Sequence, residues 1–212
     1  IKEDYAQKIL ARSNYIEFAA PIIEEIAAVK YRNGNLDDVT IIGTSWQYAF
    51  VYSLDLRLGR FFTPIEDRTS ARVVIISSAV SDALFPNENP IGKYIEIFGS
   101  QFKVIGVLIQ RGKLMKLLAL DNQCIIPYRV SKTVFSSWQS SLGISAKIRA
   151  ETSKKVARDE LRMIMRSLSG LRPLEEDNFA LNQQETFREQ IRTIRISIAA
   201  AVGFLISRDR KG

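Results

Sequence analysis

The chain has 212 residues and a formal net charge of +7; 46% of its residues are apolar and 25% are charged. This composition is typical of a globular protein and argues against intrinsic disorder, and the length suffices for one good core or two modest ones. The chain has no histidine and one cysteine, which excludes Ser-His-Asp and Cys-His catalysis, the common zinc sites and an internal disulfide. We expect no catalytic residue, no metal site and no cofactor.

The first part of the chain predicts a helix followed by a hairpin. Apolar residues at helical spacing predict an amphipathic helix over residues 1–12. A long extended segment then runs from residue 16 to 31 and is expected to break at Pro21. Asn33-Gly34 predicts a hairpin turn, because both residues accept a positive φ, and the return strand is expected at residues 39–43.

The middle of the chain predicts strands, short helices and a second hairpin. In chain order we expect a short helix or aromatic turn (46–51), a strand (72–77), a short helix (78–85) and two hairpin strands (94–97 and 102–107). The strand at 72–77 is so uniformly apolar that both of its faces should be buried. Ser78 is the expected cap of the helix, and Gly99-Ser100 is the expected hairpin turn.

The last part predicts a strong amphipathic helix among shorter elements. In chain order we expect a loop (110–121), a strand (123–126), a helix (128–138), a strand (143–149), the long helix (153–171), a short strand (179–181) and a final helix (184–206). Pro173 should end the long helix. The helix should turn inward the apolar side chains Val156, Leu161, Ile164, Met165 and Leu168. Irregular alternation of strands and helices predicts an α+β fold with mixed sheets.

Two local sequences invite a chemical interpretation that their context does not support. Cys124 lies in an apolar run, so we expect a packed small hydrophobic side chain and not a reactive thiol. Ile91-Gly92-Lys93 is similar to part of a phosphate-binding loop, but the earlier glycine and the hydroxyl residue after the lysine are both missing. We interpret this segment as a tight turn that leads into a strand.

The excess of basic residues leaves two interpretations open. A net charge of +7 fits an anionic neighbour, such as a lipid headgroup surface, and it also fits a solvated surface of mixed charge. Nucleic-acid binding is not expected, because the basic residues are not interleaved with aromatic ones as a nucleic-acid groove requires.

The apolar segment near the C-terminus also leaves two interpretations open. Residues 196–206 are apolar except for Ser197, but eleven residues are too few to cross a bilayer. We interpret residues 196–212 as the truncated start of a transmembrane helix or as a tail, and a buried terminal helix is the alternative. Because the chain begins inside a helical pattern without an initiator methionine, we expect it to be a fragment of a longer protein.

Four segments match a known family in their order and spacing, namely Leu56–Thr63, Arg72–Ser77, Leu84–Lys93 and Phe102–Val107. Together they resemble the MacB-like periplasmic core domain, the large extracytoplasmic insert of MacB/FtsX-type ABC transporter permeases. The positions that carry the family motif are Gly59, Arg60, Phe61, Phe62, Asn89, Pro90, Ile91, Gly92, Lys93, Ile105, Gly106 and Val107. Asp55 departs from the pattern, because the family usually has a glycine there.

The resemblance implies an α+β fold with mixed sheets in two lobes, one inserted within the other. Residues 1–45 and 120–195 would form a porter-like, membrane-proximal lobe, and residues 46–119 would form a small inserted α/β lobe. The hairpin and helix predicted within the middle segment agree with this division. The motif residues are expected to determine the fold and not to contact a ligand, with Gly59 and Gly92 supplying backbone freedom at turns.

The resemblance also implies a function. The chain would be the periplasmic domain of an inner-membrane ABC transporter permease, linked to the membrane by flanking helices. It would transmit ATP-driven motion from a cytoplasmic ATPase domain or subunit to a periplasmic adaptor or to a lipoprotein or peptide substrate, and the full permease would be dimeric. The alternative from the residues alone is a stand-alone secreted binding module for an anionic ligand. An enzymatic function is the weakest hypothesis, since no catalytic constellation is present.

Overall fold

The computed structural model of the chain describes residues 4–109, 122–136 and 142–181. These residues form eight strands and six helices. The strands are β1 (Ile16–Tyr31), β2 (Gly34–Thr44), β3 (Leu56–Gly59), β4 (Val73–Ile76), β5 (Tyr94–Ile97), β6 (Ser100–Leu108), β7 (Gln123–Pro127) and β8 (Gly143–Ile148). The helices are α1 (Tyr5–Arg12), α2 (Tyr48–Val51), α3 (Pro64–Arg68), α4 (Ser78–Leu84), α5 (Tyr128–Val134) and α6 (Lys154–Leu168).

The eight strands belong to one sheet, and six of them pair in a closed ring. The hydrogen-bonded path β2-β7-β4-β6-β5-β1 returns to its start because β1 also pairs with β2. Val29 of β1 is opposite Leu36 of β2 on one side and Ile97 of β5 on the other. The pairs β2–β7 and β4–β6 are parallel, and the other pairs are antiparallel. We call these six strands the ring; β8 extends it beside β1, and β3 pairs with β6.

The inside of the ring holds the main hydrophobic core. All six ring strands contribute side chains to one buried cluster, which α4 and α5 complete. Alternate residues of five of these strands, all but β5, belong to a second cluster; on β7, for example, Cys124 and Ile126 are in the first and Ile125 is in the second. Successive side chains of a strand point to opposite faces, so the second cluster lies outside the ring. Residues of the segment 46–62 cover it.

Pro21 does not break the extended segment, contrary to the prediction. β1 runs without interruption from Ile16 to Tyr31. The carbonyl oxygen of Pro21 accepts a hydrogen bond from Thr44 Oγ1 at 2.7 Å and therefore points toward β2. In an extended strand the nitrogen and the carbonyl group of one residue point to the same side, so the nitrogen of Pro21 also points toward β2. The pairing with β2 begins only at Ile22. The missing N–H therefore costs no ladder hydrogen bond, which is the condition under which strands accept proline.

Both hairpins are confirmed, but each turn lies one residue earlier than predicted. The first turn is Arg32-Asn33, with Arg32 at φ 51°, and Gly34 is already paired in β2. The second is Phe98-Gly99, with φ values of 52° and 70°. The Phe98 ring packs on Phe135 with centroids 5.4 Å apart. Packing therefore stabilises a left-handed conformation that a phenylalanine seldom adopts on its own.

The helices confirm the predicted pattern with local corrections. Ser77, and not Ser78, caps α4, because its hydroxyl accepts the Val80 N–H. The strand before it is confirmed as buried on both faces, since all four residues of β4 are buried. α5 ends at Val134, short of the predicted residue 138, and residues 137–141 lie outside the described part.

The long amphipathic helix is confirmed as α6, but its inward face and its end differ from the prediction. Ile164 and Met165 are buried as expected, whereas Val156 is 46% exposed and Ala157 is buried in its place. The predicted inward residues Leu161 and Leu168 are half-buried. The helix ends before Gly170, whose φ of 68° is the usual left-handed helix terminator. Pro173 was therefore not the residue that ends it.

Residues Ile1–Gly170 form one compact unit and Leu171–Gly212 another. In the second unit, residues 171–181 form turns and bends, so the short strand predicted at 179–181 was wrong. Of these three residues only Phe179 is of a strand-forming type, and alanine at position 180 disfavours a strand. The predicted loop at 110–121, the final helix at 184–206 and the segment 196–212 lie outside the described residues.

The two-lobe division is not confirmed and stays a prediction. The ring draws β1, β2 and β7 from the predicted porter-like lobe and β4, β5 and β6 from the predicted inserted lobe. What the structure does establish is a mixed α/β fold dominated by one sheet. Within the described part of the chain, no helix combines the length and the hydropathy that crossing a membrane requires.

Candidate functional site

Three of the family-motif segments meet where β3 crosses the end of β6. Gly59 of β3 is opposite Gly106 of β6, and the N–H of Arg60 donates to the Ile105 carbonyl at 3.0 Å. A Cβ on Gly59 would lie 2.1 Å from the Ile105 carbonyl oxygen and 2.9 Å from the Ile91 side chain. Gly106 is equally enclosed, because a Cβ there would lie 2.6 Å from the Arg60 carbonyl oxygen. We call this contact the glycine junction.

The segment Asn89–Lys93 joins the same junction through its backbone. Gly92 N–H donates to the Val104 carbonyl, and Val104 N–H donates to the Lys93 carbonyl, both at 2.8 Å. The Asn89 side chain accepts the Ile91 N–H at 3.0 Å, a turn that asparagine forms readily. Pro90 is buried, and Gly92 has φ 83°. The segment is thus a tight turn that leads into β5, as the sequence predicted.

Arg60 and Glu66 form a bidentate ion pair at the junction. Two guanidinium nitrogens of Arg60 each bind one oxygen of Glu66 at 2.7 Å. Thr63 and Glu66 also cap α3 reciprocally, since each side chain accepts the backbone N–H of the other. The Arg60 guanidinium above all lowers the pKa of Glu66 to about 2, with the Thr63 hydrogen bonds adding to the effect. The pair fixes the direction in which the chain leaves β3.

The remaining motif residues pack on the two faces of the sheet. Phe61 and Phe62 lie against each other with ring centroids 4.6 Å apart. Phe62 is buried in the second hydrophobic cluster, outside the ring, which we call the outer cluster. Ile105 belongs to the outer cluster as well, whereas Val107 is fully buried inside the ring. The structure therefore brings Gly59, Arg60, Ile91, Ile105 and Gly106 into contact, while Phe62 and Val107 lie on opposite sides of the sheet.

Two polar groups beside the motif were not predicted. Glu66 could have been found, because Thr63-Pro64-Ile65-Glu66 is a capping-box sequence. Glu88 binds Lys93 at 2.6 Å and Arg32 at 3.5 Å and accepts from the Tyr31 hydroxyl at 3.2 Å. No local pattern reveals this second group, because it links the β1–β2 hairpin to the turn before β5.

The chemistry available to these groups is limited. Cys124 is fully buried, and burial raises the pKa of its thiol well above the usual range, so the prediction of a packed side chain is confirmed. Among residues 4–109, 122–136 and 142–181, no group of three or more carboxylate, cysteine or histidine side chains could hold a metal ion. What the glycine junction can do is hold β3, β6 and the turn before β5 in one fixed arrangement.

Comparison with known proteins finds bacterial relatives that are named as export ATP-binding/permease proteins. The macrolide export ATP-binding/permease protein MacB of Neisseria gonorrhoeae is 26% identical over 188 residues, which cover 87% of this chain and 28% of that protein. The pyoverdine export ATP-binding/permease protein PvdT of Pseudomonas savastanoi pv. phaseolicola is 26% identical over 195 residues, 90% of this chain and 29% of that protein. The chain therefore spans less than a third of these relatives.

Solved structures share the fold. The periplasmic region of MacB from Actinobacillus actinomycetemcomitans has a TM-score of 0.72 and 24% identity and covers 91% of this chain and 83% of its own. The extracellular domain of the noncanonic ABC-type transporter YknZ from Gram-positive bacteria has a TM-score of 0.67 and 21% identity and covers 81% and 86%. The family model described as the MacB-like periplasmic core domain matches residues 1–164. Because this match covers most of the chain, the chain belongs to the family of MacB-like periplasmic core domains.

Proposed function

We propose that the chain is the periplasmic domain of an ABC transporter permease and that it transmits ATP-driven motion across the envelope. The match of residues 1–164 to the family model carries this proposal. Relatives that are named export ATP-binding/permease proteins support it. In this account the domain performs no chemical step of its own; it moves a partner.

The architecture suits a mechanical role. β1 has 16 residues, which corresponds to about 50 Å of extended chain, and it pairs in turn with β8, β2 and β5. The ring is filled with side chains of almost no exposure, such as Phe102, Ile41 and Ile126. Close-packed cores are hardly compressible and transmit strain. A displacement applied at one end of β1 would therefore reach the hairpin at its other end.

The family motif fits this role as a set of positioning residues. We infer that Gly59, Gly106 and Ile91 let β3, β6 and the turn before β5 approach closely, and that Arg60 fixes the exit of β3 through Glu66. The motif then maintains the shape of the moving body and contacts no ligand.

Partners and location follow from the same proposal. The domain would project from the inner membrane into the periplasm, and a cytoplasmic ATPase domain or subunit would drive it. A periplasmic adaptor, or an exported lipoprotein or peptide, would receive the motion. Two permease copies would act together, so the two copies of this domain would move relative to each other.

A spin-label measurement on the full-length permease tests the proposal without knowledge of the substrate. The label goes on Asn33→Cys, an exposed position at the tip of the β1–β2 hairpin; Cys124 is buried and should not react. We expect the distance between the labels of the two copies to change when ATP is trapped in the transporter. Samples with ADP serve as controls and should match the nucleotide-free protein. Identical distances in all three states would contradict the proposal.

The second candidate function is a secreted module that binds an anionic ligand. Besides the net charge of +7, α6 favours it, because the helix carries Lys154, Lys155, Arg158, Arg162 and Arg166 against two acidic residues. Binding of the isolated chain to inorganic polyphosphate that weakens steeply with salt would support this function. Absence of such binding at low salt would count against it.

A further inference from the structure

In the unit Ile1–Gly170, the Tyr5 hydroxyl group joins the start of α1 to the end of α6. Tyr5 on α1 is 4% exposed, and its hydroxyl donates to the Leu168 carbonyl on the last turn of α6 at 2.6 Å. Carbonyl groups in the last turn of a helix have no partner within the helix. The Tyr5 hydroxyl satisfies one of them across a sequence separation of 163 residues.

A second contact joins the C-terminal end of α1 to the middle of α6. The Ser13 hydroxyl donates to one carboxylate oxygen of Glu160, and the other oxygen accepts the Asn14 N–H at 3.1 Å. The Asn14 amide adds a longer bond to the same oxygen at 3.3 Å. Ser13 also accepts the N–H groups of Tyr15 and Ile16 at 3.1 and 3.0 Å. A single carboxylate on α6 thus holds the point at which α1 ends and β1 begins.

The two contacts define the geometry of the pair. Tyr5 meets Leu168 and Ser13 meets Glu160, so α1 and α6 run in opposite directions. The contacts are eight residues apart on each chain segment, about 12 Å along a helix. Two fixed points at this spacing prevent α1 from pivoting on α6, which one contact alone would allow.

The Glu160 carboxylate is suited to this role because it remains ionised. Burial opposes its ionisation, but the hydrogen bonds from Ser13 and Asn14 outweigh that effect and hold the pKa of Glu160 below its usual range. Hydrogen bonds to an ionised group are stronger than those between neutral groups.

We propose that Tyr5 and Glu160 form a latch that couples α1 and α6 to β1, so that the two helices and the long strand move together. The proposal rests on the function proposed above and adds to it the point at which motion enters the sheet. β1 starts three residues after Ser13, so a displacement of the latched helices pulls directly on the strand that belongs to the ring.

The test uses the full-length permease with the Asn33→Cys label. Glu160→Ala removes the acceptor of both backbone and hydroxyl donors, and Tyr5→Phe removes only one hydroxyl. Asp159→Ala is the matched control, because Asp159 is the exposed neighbour on α6. Glu160→Gln tests for rescue, since its carbonyl oxygen can still accept the Asn14 N–H. Thermal unfolding checks that each variant folds, and Tyr5→Phe carries the test alone should Glu160→Ala not fold.

We expect the ATP-dependent change in label distance to persist in the wild type and in Asp159→Ala, to be lost in Glu160→Ala, to be clearly reduced in Tyr5→Phe, and to return in large part in Glu160→Gln; an unreduced change in Tyr5→Phe would also overturn the latch. Amide exchange of residues 5–16 should be about tenfold faster in Glu160→Ala and Tyr5→Phe. A distance change that survives in Glu160→Ala would overturn the latch while leaving the proposed function intact. No distance change in the wild type would instead overturn the proposed function.

Discussion

Two regions of the unit Ile1–Gly170 are stabilised in different ways. One is the ring, and the other consists of α1, β8 and α6. Each residue of β4 and four of the five residues of β7 are buried, and the ring interior is apolar. All six residues of β8, in contrast, are only half-buried, and α1 is joined to α6 by the hydrogen bonds of Tyr5, Ser13 and Glu160. We call this second region the latched end.

The difference shows how one chain can provide both a rigid body and a movable attachment. Apolar packing is lost all at once when a core deforms, because buried side chains interdigitate. The pair of α1 and α6 buries fewer apolar side chains than the ring, among them Ile9, Ile164 and Met165, and it relies on hydrogen bonds as well, so it can open locally at a smaller cost.

The largest effect is expected at the glycine junction. Gly59→Ala should lower the free energy of unfolding by about 4 kcal/mol, because φ is 75° and the new Cβ would lie 2.1 Å from the Ile105 carbonyl oxygen. Gly92→Ala is the matched control, since φ is 83° but no atom lies within 4 Å of the new Cβ. It should cost only about 1 kcal/mol. Urea unfolding measures both; equal losses would contradict the junction as described.

The next effect compares matched side chains of the two regions. Ile126 lies fully buried inside the ring, and Ile164 on α6 is 8% exposed. Ile126→Ala should cost about 4 kcal/mol and Ile164→Ala about 2 kcal/mol, because a cavity at the edge of the unit can collapse more easily. Urea unfolding measures the loss in free energy of unfolding for both variants. A larger loss at Ile164 would reverse the proposed distribution of stability.

The sequence could predict much of the local structure but not the ring. The β1–β2 hairpin, the buried β4 and the inward Ile164 and Met165 follow from turn residues and apolar periodicity, which act within a few residues. Closure of the ring depends on β1 pairing with β5 and β2 with β7, contacts between residues that are distant in sequence. No local pattern encodes such contacts, so the arrangement of the strands could not be derived.

The errors in turns and caps have the same physical origin. Phe98 adopts a positive φ because its ring packs on Phe135, and Pro21 stays in a strand because its nitrogen faces a position beyond the end of β2. In the candidate site, the motif residues could be named from the resemblance, but their contacts could not. The link from Thr63 to Glu66 was within reach through the capping box, whereas the links of Arg60 to Glu66 and of Glu160 to Ser13 and Asn14 were not.

A smaller effect, with a pH dependence, is expected at Glu66. Its folded pKa is about 2 against an ordinary value of 4.5, so its contribution to stability is complete above pH 4.5 and is lost as the pH falls through about 2. Glu66→Gln should cost about 1 kcal/mol at pH 7, and the difference from the wild type should disappear only as the pH falls below about 2. Urea unfolding at several pH values measures this; a constant difference would contradict the ion pair.

A further prediction concerns the reactivity of the thiol inside the ring and involves no change in stability. Cys124 should not react with iodoacetamide in the folded protein, because the side chain is fully buried and its pKa is raised by burial. The rate of modification in increasing urea should follow global unfolding of the ring. Fast modification without denaturant, measured by mass spectrometry, would show that the ring opens on its own.

Hydrogen exchange of the full-length permease in its nucleotide-free and ATP-trapped states distinguishes rigid-body motion of the ring from its deformation. We expect the amides of β4, β6 and β7 to exchange equally slowly in both states, because the ring moves as a rigid body. Amides of α1, α6 and β8 should change their exchange between the states, because motion enters there. Altered exchange in the ring, or no change at the latched end, would contradict the account.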